Sequence, residues 1–576
     1  MARELRDSRR LTGPNVLGDL PGPVVDIALP DDERAAAVAA WEPHARAVAA
    51  GLGWTDAVFL HRIFPGGVSL HFSAPVDVLY AACEANEWAW SAAEADLDGR
   101  ASAEPLPTAL ERLRALVREE RNPPVLRMQR AAARHGQVFL WDDDHVSVGL
   151  GGGSRTWSVD DLPEAGDVDW EDVCGIPAAM VTGTNGKTTT VRLLAAMAAA
   201  AGRTVGVSST DWLRVGSDML DRGDWSGPGG ARTVLRDPRT EIAVLETARG
   251  GMLRRGLALG PGEADVVAVL NVAADHLGEW GVQDLDMLAD TKFVIRRAGR
   301  RVVLNADCPQ SVARRGLVEA PVDWFSLDPG SPVVAEHLAA GGRAWLFDGD
   351  ALLRAEGSTR TVITRAEEIP ATLGGAARHN VANALAACAC AEALGLPNEA
   401  MVAGLRGFRS SPSDNPGRLN LFEFGGVKAV VDFAHNPHGL EALFDMAGAM
   451  PAERRLVVIG HAGDRDDEAI AEVARTAWAA RPDRILVKEQ SQHLRGREPG
   501  DVVRLLVDAL REAGAPEEAY GVAGDELEAV RQALEWARPG DLLLLLILAE
   551  REAVLARLGA LQLRGWKPGE PLSELS

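Results

Sequence analysis

The chain has little of what marks several broad protein classes. It carries five cysteines, Cys83, Cys174, Cys308, Cys388 and Cys390, an odd number without CxxC spacing. That pattern predicts free thiols in a reducing compartment and excludes a structural zinc motif. No apolar run exceeds the nine residues of Leu193 to Ala201, and that of Leu542 to Ala549, which Asp541 and Glu550 bound, has eight. A membrane-spanning helix needs roughly 20 apolar residues, so this run reads as a buried strand and no membrane partner is expected. Met1 to Asn15 mixes charged residues with few apolar ones and holds no signal-peptide core, which points to a cytoplasmic location. Positive charge is also scarce, with 60 Lys and Arg against 83 Asp and Glu, a net charge of −23. An acidic surface repels polyphosphates at long range, which argues against nucleic acid as the main partner; any phosphate must be met locally. Internal repeats and low-complexity tracts are absent.

What is present is globular: 47% of the 576 residues are hydrophobic and 25% charged, enough for about three or four domains. The first segment, to about Trp170, mixes an amphipathic helix (Asp31 to Leu52), β-branched stretches (Ala57 to Phe64, Val68 to Phe72) and a helix from Pro107 to Arg121. Asp142 to Asp144, the glycine-rich Gly149 to Gly153 and the acidic Asp160 to Asp172 read as punctuation and a linker. From Ile176 short apolar runs alternate with helix-length segments: Ala178 to Val181, Thr204 to Val207, Ile242 to Leu245, Val266 to Leu270 and Arg301 to Leu304. These predict parallel strands of an α/β layer. Val333 to Thr364 reads as hairpin structure, and Arg378 to Leu394 as an Ala-rich helix stopped by Gly395 and Pro397. After the turn-rich Ser410 to Gly417 a second α/β series begins, with strands Val427 to Val431, Leu456 to Ile459, Arg484 to Val487 and Asp541 to Leu548. The expected domains are 1–170, mixed α+β; 171–411, α/β with a phosphate-binding loop; and 412–576, Rossmann-like α/β.

The most informative stretch is Val181-Thr182-Gly183-Thr184-Asn185-Gly186-Lys187-Thr188-Thr189-Thr190, between an apolar strand and a helix. Glycines let the backbone wrap oxyanions, and successive N–H groups at a helix N-terminus attract phosphate. Lys187 can bridge phosphates and Thr188 can ligate magnesium. Gly183 lies closer to Gly186 than GxxxxGK[ST] asks, so the loop is a shortened variant.

This loop resembles that of the Mur ligase superfamily, which includes peptidoglycan peptide ligases, folylpolyglutamate synthetase and cyanophycin synthetase. The resemblance implies ATP and magnesium, a carboxylate activated by phosphorylation, and an amine that attacks the acyl phosphate. It assigns Gly183, Thr184, Asn185, Gly186, Lys187, Thr188 and Thr189 to the triphosphate, and Thr188 with Glu246 to one magnesium. Asn271 to Gly278 matches the family's histidine motif, so His276 would hold a second magnesium with Lys292, a lysine often carbamylated in the family. Asn380 and Asn383, in Arg378-His379-Asn380-Val381-Ala382-Asn383, fall on the helix that contacts adenine. Arg418 matches the arginine near the γ-phosphate and Asp432 the aspartate toward the ribose.

The runs Glu246 to Leu257 and Gly463 to Glu468, with Lys488-Glu489 and Leu494 to Arg497, look like the cyanophycin synthetase version, as does Arg9 to Val16. The ATP-grasp domain of that enzyme has no room between Gly153 and Ile176. Only the Mur-like half is therefore expected, joining an amino acid such as arginine to a carboxylate. Arg249, Arg254 and Arg255 stand out in an acidic chain as candidates for an acceptor carboxylate, and Asp464 and Glu489 for the amine, although Gln490-Ser491-Gln492-His493 replaces the further acids expected there. Partners would be a small-molecule or peptide carboxylate and an amino acid; a homo-oligomer is compatible. The competing reading is a ligation-inactive nucleotide-binding or regulatory protein that keeps the fold.

Overall fold

A computed structural model describes residues 3–572. The N-terminal part is a four-stranded antiparallel sheet in the order Glu4–Leu11, Gly22–Ala28, Gly67–Phe72, Phe59–Phe64. Helices Arg34–Gly51, Leu79–Leu97 and Leu106–Glu120 pack with it around a core that includes Trp41, Phe72 and Trp88. The predicted helix over 31–52 and the strands ending at Phe64 and Phe72 are found.

Asp142 to Asp144 and Gly149 to Gly153 are not linker. The aspartates turn a hairpin between Phe139–Trp141 and His145–Val148, and Arg155–Ser158 completes a three-stranded antiparallel sheet. The glycines serve close packing: a Cβ on Gly153 would lie 2.3 Å from Cys174 Sγ, and one on Gly151 2.3 Å from the Thr240 carbonyl oxygen.

The central sheet has eleven strands. Its core is parallel, in the order Val205–Ser208, Ile242–Glu246, Ala178–Thr182, Val266–Val269, Val302–Asn305, Val322–Ser326, Arg343–Phe347. Every residue of Ala178–Thr182 is buried, as the near-continuous apolar texture of doubly covered parallel strands requires. Antiparallel strands close both edges. Val322–Ser326 was not predicted, because Asp323 interrupts its apolar run; that carboxylate is buried against Arg301 at 3.0 Å and Arg343 at 3.2 Å. The segment read as hairpin opens with a helix, Pro332–Ala339, and the rest is hairpin structure, Arg343–Phe347 with Ala351–Glu356 and Ala351–Glu356 with Thr359–Arg365.

The C-terminal sheet runs Asn420–Phe424, Val427–Asp432, Leu542–Leu546, Arg455–Ile459, Arg484–Lys488, Tyr520–Ala523, parallel except for its first pair. The leucine run is its fully buried strand beside Val427–Asp432. Among the described residues no helix is long and apolar enough to cross a membrane.

Candidate active site

The strand Ala178–Thr182 delivers the loop 183–186 to the start of helix Lys187–Ala200. Gly186 takes φ +86°, a left-handed conformation, and a Cβ there would meet Asn383 Oδ1 at 2.2 Å, so glycine is required for both torsion and space. Thr188 Oγ1 donates to Glu246 Oε2 at 3.0 Å, and Thr210 Oγ1 to Glu246 Oε1 at 2.6 Å. Glu246 ends its strand, only 2% exposed. An all-oxygen hydroxyl–carboxylate set at a helix N-terminus suits a hard cation such as magnesium. Lys187 Nζ donates to the carbonyls of Gly183 (3.1 Å) and Thr184 (3.0 Å).

Lys292 Nζ is buried and also donates to the Gly183 carbonyl, at 2.9 Å. Burial, and then the charge of Lys187, push its pKa well below that of an ordinary lysine. Its hydrogen bond thus goes to the phosphate loop rather than to His276.

His276, at φ +54°, instead joins Asp275 and His435 of the C-terminal domain, with one ligand atom of each within 4.8 Å of the others. Burial alone would raise the Asp275 pKa; His435, His276 and Arg465 outweigh it and hold the carboxylate well below its usual range. One carboxylate and two imidazoles make a nitrogen-rich set, less suited to magnesium than the Thr188–Glu246 pair. A cation is already there: Arg465 Nη2 lies 2.7 and 2.8 Å from the His276 ring nitrogens, and its Nη1 3.0 Å from Glu279. Sequence reasoning misses Asp275, His435 and Arg465: each residue type is visible along the chain, but their proximity is not.

The C-terminal domain also clasps the loop directly. Asn185 and Asn436 exchange two side-chain hydrogen bonds of 3.1 Å, and His438 Nδ1 accepts a third from Asn185 at 2.9 Å. Arg418 lies over the Phe433 ring, 4.3 Å from its centroid. Burial lowers its pKa against the opposing pull of Asp211 and Asp432. Both Asp432 oxygens accept backbone N–H groups, from Leu419 (2.9 Å) and Ala434 (2.8 Å). Asn383 donates to Asn380, which donates to the Ala371 carbonyl, so these buried amides face each other beneath the loop.

The turn-rich 410–417 stretch is held by buried polar contacts. Asn415 is fully buried, accepts from Arg192 at 2.6 Å and donates to Ser410 at 3.0 Å. Arg192 also pairs with Asp211 (2.5 Å), which Arg551 of the C-terminal domain meets at 2.7 Å.

Of the three candidate arginines, Arg249 and Arg254 both lie over the Trp280 ring, 4.8 and 5.4 Å from its centroid, and Arg255 parts from them. Arg249 donates to the His276 carbonyl at 2.5 Å and pairs with Glu279 at 2.6 Å, Arg254 pairs with Asp7 at 3.3 Å, and the exposed Arg255 points toward the N-terminal part. Glu489 is used internally, accepting from the Gly500 N–H at 2.6 Å and the Gln490 N–H at 3.2 Å. Asp464 pairs with Arg495 (2.8 Å) and Arg465 (3.0 Å).

Family comparison agrees with this layout. The Mur ligase middle domain matches residues 181–391, and the Mur ligase glutamate ligase domain matches residues 417–546. The UDP-N-acetylmuramyl-tripeptide synthetase of Deinococcus radiodurans is 31% identical over 378 residues, 63% of this chain and 71% of the relative. The chain belongs to the Mur ligase family. A cyanophycin synthetase from Synechocystis is 42% identical over 363 residues, 62% of this chain but 41% of that protein. This chain therefore matches about two fifths of the length of such relatives, their Mur-like portion. FolC of E. coli in complex with ADP shares the fold, with a TM-score of 0.50 and 20% identity over 67% of this chain and 90% of that one.

Proposed function

We propose that the chain is an ATP-dependent carboxylate–amine ligase, releasing ADP and phosphate as it forms an amide. The observation that carries this reading is the approach of two α/β domains across the phosphate loop, seen in the reciprocal Asn185–Asn436 hydrogen bonds. A ligase needs such an arrangement, because phosphoryl transfer and amine attack must occur in one enclosed place.

In this reading the backbone of Gly183 to Gly186 and Lys187 hold the β- and γ-phosphates of ATP, which requires Lys187 to exchange its carbonyl contacts for phosphate oxygens. Thr188 and Glu246 would hold magnesium, which supplies charge neutralisation. The acceptor carboxylate forms a new O–P bond as the bond to ADP breaks. The amine then forms the C–N bond, phosphate leaves with the carboxylate's former oxygen, and the amine's surplus proton passes to solvent or phosphate. Arg418 neutralises charge on the transferring group, and orientation supplies most of the acceleration. A neutral Lys292 amine is the form that carbamylation requires; carbamylated, it would offer oxygen ligands beside the loop. Domains 1–170, 171–411 and 412–576 are the proposed functional units.

ADP release measured across a panel of carboxylates and amines tests the proposal. Release that requires one member of each class supports a ligase. ATP hydrolysis indifferent to both would overturn it in favour of a simple ATPase, and ATP binding without turnover on any pair favours the nucleotide-binding partner.

A further inference from the structure

Arg255, which parts from Arg249 and Arg254, belongs to a different group. The strand Glu4–Leu11 brings Arg10, and the loop after it Thr12, to helix Pro228–Arg236 and to Arg255. The junction is sealed by backbone hydrogen bonds, Thr12 N–H to the Arg255 carbonyl (2.6 Å) and Leu257 N–H to the Pro14 carbonyl (2.7 Å). Arg10, Arg232, Arg236 and Arg255 therefore share one junction with Asp142 and Asp143 of the hairpin turn.

Two of these arginines are satisfied. Arg10 makes a bidentate pair with Asp143, at 2.6 and 3.0 Å, and stacks on the exposed Tyr80 ring, 3.7 Å from its centroid. Arg236 pairs with Asp142 and donates to Ser147 Oγ at 2.7 Å. The other two have no carboxylate in salt-bridge range among the described residues. Arg232 is 7% exposed, its Nε has no partner, and its Nη2 reaches only Thr12, at 2.9 Å to the hydroxyl. Burial lowers its pKa to about 10, with Arg236, Arg255 and Arg10 adding to the effect and Asp142 opposing it. Buried guanidinium groups are ordinarily paired, since an uncompensated one costs several kcal/mol. In a chain of net charge −23, two guanidinium groups without a carboxylate partner, one of them buried with an orphaned N–H, have the character of a built anion site.

We propose that Arg10, Arg232, Arg236 and Arg255 form a carboxylate-binding subsite that holds an acidic peptide acceptor away from the phosphate loop. Guanidinium forks recognise carboxylates through paired hydrogen bonds, and Tyr80 gives the rim an apolar platform. The choice of a carboxylate rests on the ligase reading; the existence of an anion site does not.

The test is calorimetric titration of the nucleotide-free full chain with N-acetyl-tetra-aspartate amide and, separately, with sodium phosphate. The peptide is expected to bind the wild type and to lose about ten-fold in affinity in Arg255→Ala, the loss of one charge-assisted hydrogen-bonding group, with ATP affinity unchanged. Because Arg255 is exposed, that variant should fold. On the wild type, the peptide should also protect Arg255 from phenylglyoxal, read by mass spectrometry. Absence of peptide binding, equal binding by the variant, or binding of phosphate but not of peptide would overturn the proposal. No turnover enters these measurements, so their failure is separate from a failure of the ligase reading, which ADP release reports.

Discussion

The phosphate-loop end and the amine end of the proposed site use their polar side chains differently. At the phosphate loop, Thr188, Glu246 and Thr210 form a compact oxygen-donor cluster, and Lys187 is held only by carbonyls of its own loop. At the end expected to take the amine, each Glu489 oxygen accepts a backbone N–H, and two arginines share one oxygen of Asp464 while its other oxygen is buried without a partner. The polar groups of the nucleotide end are buried against one another around a helix N-terminus, whereas the acids of the other end are bound to backbone N–H groups and arginines of their own domain. A motif built from backbone conformation keeps its meaning wherever the fold recurs; a charged side chain takes its meaning from whatever lies next to it.

That contrast makes graded predictions. Lys187→Ala should abolish ADP release, by at least about 10²–10³-fold as for loss of one preorganised electrostatic donor, with the thermal unfolding temperature little changed; retained turnover would remove the functional meaning of the loop. Asp211→Ala should cost about 3–5 kcal/mol, because it leaves the buried Arg192 without its carboxylate and removes the contact to the partly exposed Arg551. Chemical denaturation measures that loss, and unfolding in two separated steps would show that this pair holds the domains together.

A third prediction concerns pH. Burial would raise the Glu279 pKa, but His276 and Arg249 depress it to about 2 from the ordinary 4.5. A depressed carboxylate contributes stability above the unfolded-state pKa and loses it as pH falls through the folded one. The stability advantage of wild type over Glu279→Gln should therefore be full above pH 4.5 and shrink toward pH 2, followed by thermal unfolding; an advantage independent of pH would refute the ion-pair account. The smallest effect is expected for Glu489→Gln, about 1 kcal/mol of stability for weakened N–H acceptance and no change in the KM for the amine. A ten-fold rise in that KM would show that the two ends of the proposed site are alike after all.

Much of the fold was legible in the sequence. Ala178–Thr182, Ile242–Glu246, Val266–Val269 and Leu542–Leu546 were found from apolar runs alone, because strands buried on both faces must be apolar throughout. Val322–Ser326 was hidden because its Asp323 is neutralised by arginines from two neighbouring strands. Gly149 to Gly153 misled in the other direction: glycine was read as freedom, and here it makes room for Cys174 and Thr240. Turn-forming side chains such as Asn415 are likewise able to hold a buried junction.

By itself, the sequence determined the phosphate loop, the order of the α/β segments and the family. These depend on local periodicity and on torsions that only glycine allows, as at Gly186, and each is written within a few adjacent residues. Only the tertiary structure decided that His276 meets His435 and Arg465 of another domain, that Lys292 turns to Gly183, and that Arg255 parts from Arg249 to join Arg10 and Arg232. Those outcomes depend on which charges the packing brings together and which it leaves unpaired, and the spacing of residues along the chain carries no record of either.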